Sequence, residues 1–236
     1  MSRPTLVLLP GLLCDHAVWR AQCAALTEVD CLVPDYGTID SLPGMARHVL
    51  DTTAAERFSL AGHSMGGRVA LEVARLAPGR VERIALMDTG VTPLPTGEAA
   101  DKERAQRLAL LEQARMEGMR AMGRTWAQGM VHPTRLGTTL FDEVLDMIER
   151  KTPDIFAAQI HALMNRPDAR GTLKSLQCPT MLLCGRQDAW SPYSRHEEMQ
   201  QMLPSAQLVA IEDSGHMTTM EQPDAVNMAL RNWLAR

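Results

Sequence analysis

The stretch Phe58-Ser59-Leu60-Ala61-Gly62-His63-Ser64-Met65-Gly66-Gly67 decides the fold. Its apolar beginning reads as a buried strand. Beyond it, Met65, Val69, Ala70, Val73 and Leu76 recur at helical spacing on one apolar face. A serine therefore stands at the tip of a sharp strand-to-helix turn. Gly62 and Gly66 flank it in the pattern G-x-S-x-G. The glycines have a steric reason. A serine held at a strained backbone angle needs neighbours without a Cβ, or strand and helix collide around it. The same turn points the free amides of the helix start toward charge that develops near the serine oxygen.

A serine hydroxyl becomes a nucleophile only when a base takes its proton, and a carboxylate must hold that base in one tautomer. The downstream sequence offers a candidate for each. The buried-strand run Thr180-Met181-Leu182-Leu183-Cys184-Gly185 leads to Asp188, and Gln207-Leu208-Val209-Ala210-Ile211 leads to His216. Both lie just past the carboxyl ends of strands, where open α/β sheets place their chemistry. Asp88, Asp213 and Glu221 are the competing carboxylates near strand ends.

Strand-like runs fall at 5–9, 31–33, 58–61, 83–87, 180–184 and 207–211, several of them continuously apolar as in strands covered on both faces. Helical patterns alternate with them, ending with Val226, Ala229, Leu230, Trp233 and Leu234. This order predicts an α/β fold with a doubly wound, mostly parallel sheet. Thr92-Pro93-Leu94-Pro95-Thr96-Gly97 marks an exit from the sheet, followed by helical segments at 98–130, 134–150 and 153–165. In the first segment Leu108, Leu111, Met119, Met122, Trp126 and Met130 recur near helical spacing. Lys102, Glu103, Arg104 and Arg107 are expected on its solvated side. The reading is a core of 1–91 and 176–236, with 92–175 as a helical cap that depends on the core to bury its apolar face.

Leu8-Leu9-Pro10-Gly11-Leu12-Leu13, the GHSMGG turn, CPTMLLCGRQDAWSP and EDSGHMTTMEQP together resemble the α/β-hydrolase fold superfamily, in its small, capped, esterase-like group. The four segments span nearly the whole chain in that family's order. The resemblance implies Ser64 as nucleophile, His216 as general base and Asp188 as its acid. It implies an oxyanion hole from the backbone amides of Leu12 and Met65. Many relatives carry a histidine before Gly11; here Pro10 stands there, which leaves the donor but removes a side chain that would brace the loop. Leu13, Trp126, Met130 and Met217 are the expected substrate contacts, His63 a packing residue beside the turn, and no metal or cofactor is implied. Relatives that cleave carbon–carbon bonds or act as lyases need extra polar groups, for which Arg124 and Asn165 are the candidates. His132, His161 and Arg124 are cap residues that either orient a polar substrate group or sit at the surface. A ligand receptor that retains the fold is the reading from outside enzymology.

Composition limits the alternatives. The 236 residues suffice for one α/β core, and 45% hydrophobic content suits a globular protein. The net charge of −4, with no basic stripe, argues against nucleic acid as a partner, and the resemblance implies a small-molecule substrate. No apolar run reaches membrane-spanning length and Met1-Ser2-Arg3-Pro4-Thr5 has no signal-like stretch, so no membrane partner and a cytoplasmic location are expected. Five cysteines without ligand spacing read as free thiols, with Cys31 and Cys184 as inert core and Cys14 as either a small filler or an alkylatable thiol. The sixteen methionines read mostly as core, and a Met-rich face of the cap suggests an apolar acyl pocket that tolerates varied ligands. If His216 is the base, activity rises with pH as the imidazole becomes neutral, between about pH 5 and 9. A rate profile flat across that range contradicts the assignment.

Overall fold

In the computed structural model, which describes residues 3–236, six strands form one sheet: β1 (Thr5–Leu9), β2 (Asp30–Leu32), β3 (Phe58–His63), β4 (Val81–Met87), β5 (Thr180–Gly185) and β6 (Gln207–Ile211). Their order is β2-β1-β3-β4-β5-β6 and every neighbouring pair is parallel. β3 and β5 are buried along their whole length, which is why they read as unbroken apolar runs. β2 is the opposite case. It lies at the edge, one residue earlier than expected, and pairs with β1 alone. Cys31 is consequently half-buried rather than core, and Leu32 is exposed.

Among the described residues eleven α-helices connect and cover the strands: α1 (Arg20–Ala25), α2 (Leu42–Thr52), α3 (Met65–Leu76), α4 (Glu98–Glu117), α5 (Met119–Trp126), α6 (Thr139–Glu149), α7 (Pro153–Met164), α8 (Arg170–Ser175), α9 (Tyr193–Met202), α10 (Thr218–Glu221) and α11 (Pro223–Leu234). α2, α3, α8 and α9 pack side by side in that order, whereas α1, α10 and α11 form a second group. The connection leaving β1 runs to β2 on one side, and the connection leaving β3 runs to β4 on the other. That reversal opens a crevice beyond the carboxyl ends of β1 and β3, the place where such sheets bind ligands.

Helices α4 to α7 are inserted between β4 and β5. The expected single helix over 98–130 is broken at Gly118, whose φ of 91° suits glycine and ends the helical run. α4 is also rotated relative to the expected pattern. Leu108 faces solvent, while Glu103 and Arg107 turn inward, because Arg166 stands opposite and pairs with Glu103. The start of α7 follows local rules: Thr152 accepts the amide of Ile155, and Pro153 occupies the first turn, where no donor is needed.

The turn between β3 and α3 is the tightest place in the core. Ser64 has φ 54° and ψ −117°, a conformation that costs a non-glycine residue about 1–3 kcal/mol. Its amide donates to Met87 O at 2.8 Å, and Thr89 Oγ1 donates to Ser64 O at 2.7 Å, so β4 holds the turn from the side. A Cβ on Gly62 would collide with the backbone carbonyl of Gly66, and one on Gly66 with that of Leu9. Gly66→Ala is therefore expected to destabilise the fold by about 3 kcal/mol or more in denaturant titration, because backbone cannot move aside. Gly79→Ala meets nothing within 4 Å and is the matched control; equal stability of the two variants would contradict this account of the turn.

Candidate active site

Three loops deliver the polar groups to the crevice. His216 Nε2 lies 2.8 Å from Ser64 Oγ, and His216 Nδ1 lies 2.8 Å from Asp188 Oδ2. A carboxylate only accepts, so Nδ1 carries the proton and Nε2 is left to accept from the serine hydroxyl. Asp188 Oδ1 accepts the amides of Trp190 and Ser191 at 2.8 and 2.9 Å, which fixes the carboxylate plane. Burial raises the Asp188 pKa, but the neighbouring His216 and the two amides outweigh burial, and the net shift is downward from 3.8. Asp188 is thus held ionised beside the imidazole.

Asp88, the competing acid, has a different environment. It accepts from Gly185 N at 2.9 Å and from the Thr218 hydroxyl, and its closest imidazole is His63, at 3.9 Å, not His216. Burial and the charge of Asp188 push its carboxyl well above the usual aspartate range. With Cys184 it forms the one group of potential metal donors among the described residues, Asp88, Cys184 and Asp188. These donors are engaged: Cys184 Sγ contacts the carbonyls of Gly185 and Ser191, and both carboxylates have the partners named above.

Glu221 organises the loop that carries His216. Its carboxylate accepts the amides of His132, Gly215 and Met217 at 2.7, 3.0 and 3.1 Å. Burial still leaves its pKa raised. His216 N donates to Met130 O at 2.8 Å, tying the same loop to the insertion. Gly215 is required by this closeness, since a Cβ there would stand 2.7 Å from His132 N. His63 Nε2 donates to His216 O at 2.7 Å; burial and the neighbouring His216 lower its pKa to about 3, so it is a neutral brace.

The loop after β1 completes the site. Leu12 and Met65 line the cavity beside Ser64, and among the described residues neither amide has a protein acceptor. Leu13 has φ 59°, and its amide donates to Gln159 Oε1 on α7 at 2.8 Å. Gln159 is buried and braces the loop from the insertion, where Pro10 offers no side chain to do so. A lone glutamine in the apolar sequence of α7 was the available signal. Cys14 is buried and its thiol is pushed up to about 12 by burial and Asp15, which removes the alkylatable reading.

The cavity has a volume of about 780 Å³. One wall is aromatic: Trp190 packs on the His216 ring at 5.0 Å and stacks on Trp126 at 5.0 Å, with Phe156 beyond. Trp126 and Met130 line it as expected. Leu13 and Met217 do not: both side chains are wholly buried in the core, because their backbones are turned by Gln159 and Glu221. Arg124 and Asn165 are exposed and lie outside the lining, as do His132 and His161, which bond to Thr134 and to Asp40 O. The expected apolar pocket is only half right, since Arg68, Arg107, Arg166 and Arg195 also face it.

Residues 6–229 match the family described as "Alpha/beta hydrolase family". The chain belongs to this family. It is a hydrolase by that membership, and similar proteins differ in what they cleave. One is named "Putative carbamate hydrolase RutD", from Pseudomonas savastanoi pv. phaseolicola; it is 27% identical, with 98% of this chain and 93% of that protein covered. A pimeloyl-acyl-carrier-protein methyl ester esterase of Nitrosomonas europaea is 27% identical over 94% of this chain and 92% of its own. Among solved structures, a thermophilic esterase from Thermogutta terrifontis with malate bound superposes with a TM-score of 0.86 at 29% identity, covering 99% of this chain and 90% of that one.

The two aspartates separate experimentally. In Asp188→Asn the amide nitrogen faces Nδ1 and selects the tautomer in which Nε2 cannot accept; kcat is expected to fall about 10⁴-fold. Asp88→Asn keeps an acceptor for Gly185 and a donor for Thr218, so kcat is expected to stay within about tenfold. Because the folded carboxyl of Asp88 resists ionisation, stability declines as pH rises above the ordinary aspartate value, where the unfolded chain ionises first; the asparagine flattens that decline. An equal loss of kcat in both variants contradicts the assignment.

Proposed function

We propose that this protein is a serine hydrolase of small carboxylic esters, thioesters or lactones. The observation that carries the reading is the continuous chain Asp188–His216–Ser64, with 2.8 Å at each contact, beside two unpaired amides. Ser64 Oγ attacks the carbonyl carbon as His216 Nε2 takes the hydroxyl proton, and Asp188 stabilises the imidazolium that forms. The oxyanion of the tetrahedral intermediate accepts from Leu12 N and Met65 N, donors of a kind worth about 2.7–4 kcal/mol each. His216 returns the proton to the leaving alcohol, thiol or alkoxide end. It then deprotonates the water that releases the acid and frees Ser64. No step needs a metal or organic cofactor.

Similarity to the Thermogutta terrifontis esterase supports ester cleavage. Arg124 and Asn165 lie outside the cavity, so the polar groups that carbon–carbon cleavage or a lyase reaction would need are instead Arg68, Arg107, Arg166 and Arg195, which keeps that reaction at the same three residues as the second reading. In this reading 92–175 acts as a cap over the substrate. The five free cysteines support a cytoplasmic, reducing setting.

A fluorophosphonate is expected to label the wild type rapidly and Ser64→Ala not at all. Hydrolysis of a short p-nitrophenyl ester is expected to fall by at least about 10³-fold in that variant. If both proteins hydrolyse the ester equally slowly, the proposal fails.

A further inference from the structure

The cavity collects four arginines and a single carboxylate, Glu103. That carboxylate is already shared. Arg166 Nη1 and Nη2 donate to its two oxygens at 2.7 and 2.9 Å, and Arg107 Nε and Nη2 donate to Oε1 at 3.1 and 2.9 Å. Although burial works the other way, these two arginines hold Glu103 down to about 2. Among the described residues Arg68 and Arg195 bond to backbone carbonyls alone: Arg68 Nη1 donates to Thr92 O at 2.9 Å and Arg195 Nη1 to Trp190 O at 3.1 Å. Each guanidinium has five N–H donors, so most of their capacity is unspent.

The two groups also converge. A Cβ built on Gly90 would stand 2.7 Å from Arg195 Cδ and 3.5 Å from both Arg195 Nη1 and Arg68 Nη2. Burial, with Arg166 and Arg195 nearby, pulls the Arg68 pKa down to about 9, a crowding of positive charge that Glu103 only partly offsets. This cluster is coupled to the reacting groups. Arg68 follows Ser64 by four residues, one turn of α3 or about 6 Å along its axis. Thr89, next to Gly90, donates to Ser64 O, and Trp190, which accepts from Arg195, packs on His216. Tethering these backbones uses one N–H of each guanidinium, and both side chains line the cavity that holds Ser64.

We infer that Arg68 and Arg195 form an anion subsite, and that the ester taken by this protein carries a carboxylate a short chain away from its scissile carbonyl. The inference rests on the serine-hydrolase reading for the word ester, but the subsite stands on its own geometry. An ester with its carbonyl at Ser64 would meet the two guanidiniums with its carboxylate inside the same cavity. Charge-assisted contacts of this kind are short, directional and weakened by salt.

The test is calorimetric titration of Ser64→Ala with monomethyl half-esters of succinic to suberic acid, each against its neutral dimethyl ester. At least one half-ester is expected to bind about tenfold or more tightly than its diester at low ionic strength. Adding Arg68→Gln or Arg195→Gln is expected to bring the two esters level, while circular dichroism shows the fold intact. No preference in any pair, or a preference that survives both substitutions, overturns the subsite. Tighter binding of inorganic phosphate than of every half-ester overturns the carboxylate assignment. A preference in binding without turnover by the protein that retains Ser64 leaves the subsite standing and removes the ester-hydrolase reading instead. Turnover of half-ester and diester at equal kcat/KM and equal affinity removes the subsite alone.

Discussion

The 2.8 Å contact between His216 Nε2 and Ser64 Oγ joins residues 152 positions apart, and most of the unusual features of the molecule serve it. From one side, the serine must leave the strand at a positive φ, and the strand, the helix and the carbonyl of Leu9 approach so closely that only glycine fits at 62 and 66. From the other, the imidazole must return across the sheet on a loop with little regular structure of its own. Three amides on Glu221, one on Met130 O and a glycine pressed against the insertion fix that loop. Rigid elements carry the serine, and a hydrogen-bonded carboxylate substitutes for them beneath the histidine.

Three buried carboxylates within this small region show how environment divides labour among identical groups. Asp188 is ionised by its imidazole and two amides. Asp88, close to it, is pushed toward the neutral form by burial and by that same negative charge. Two carboxylates side by side in a dry core cannot both ionise cheaply, so the one facing His216 takes the charge. Glu221 uses its oxygens on backbone amides and does not touch the imidazole. The insertion contributes in kind: Gln159 on α7 holds the Leu12–Leu13 turn, so the groups flanking the serine depend on packing between insertion and core.

Much of the arrangement could be read in the sequence because each of the three side chains proposed to react follows an apolar strand, and strand ends in such sheets converge. Ser64, Asp188 and His216 announce themselves by what precedes them. Elements whose position depends on helix packing did not. Glu103 and Arg107 form an i, i+4 acid–base pair, the usual mark of a solvated face. Arg166, 63 positions from Glu103, turns that face inward, and no local pattern encodes the meeting. Leu13 and Met217 neighbour the site in sequence yet point into the core, since adjacent residues in a tight turn face opposite ways. Cys31 shows the same limit, because a short apolar run does not say whether its strand lies at the centre or the edge.

The central claim is that Ser64, placed by its turn and deprotonated by His216, takes the acyl group covalently. Rapid-quench mass spectrometry with an activated p-nitrophenyl ester reads this directly. The account predicts an acyl mass increment confined to the peptide containing Ser64, formed within the first turnover and lost on further incubation. An increment on any other peptide, or turnover with no acylated protein at any quench time and no burst of p-nitrophenol, would contradict it.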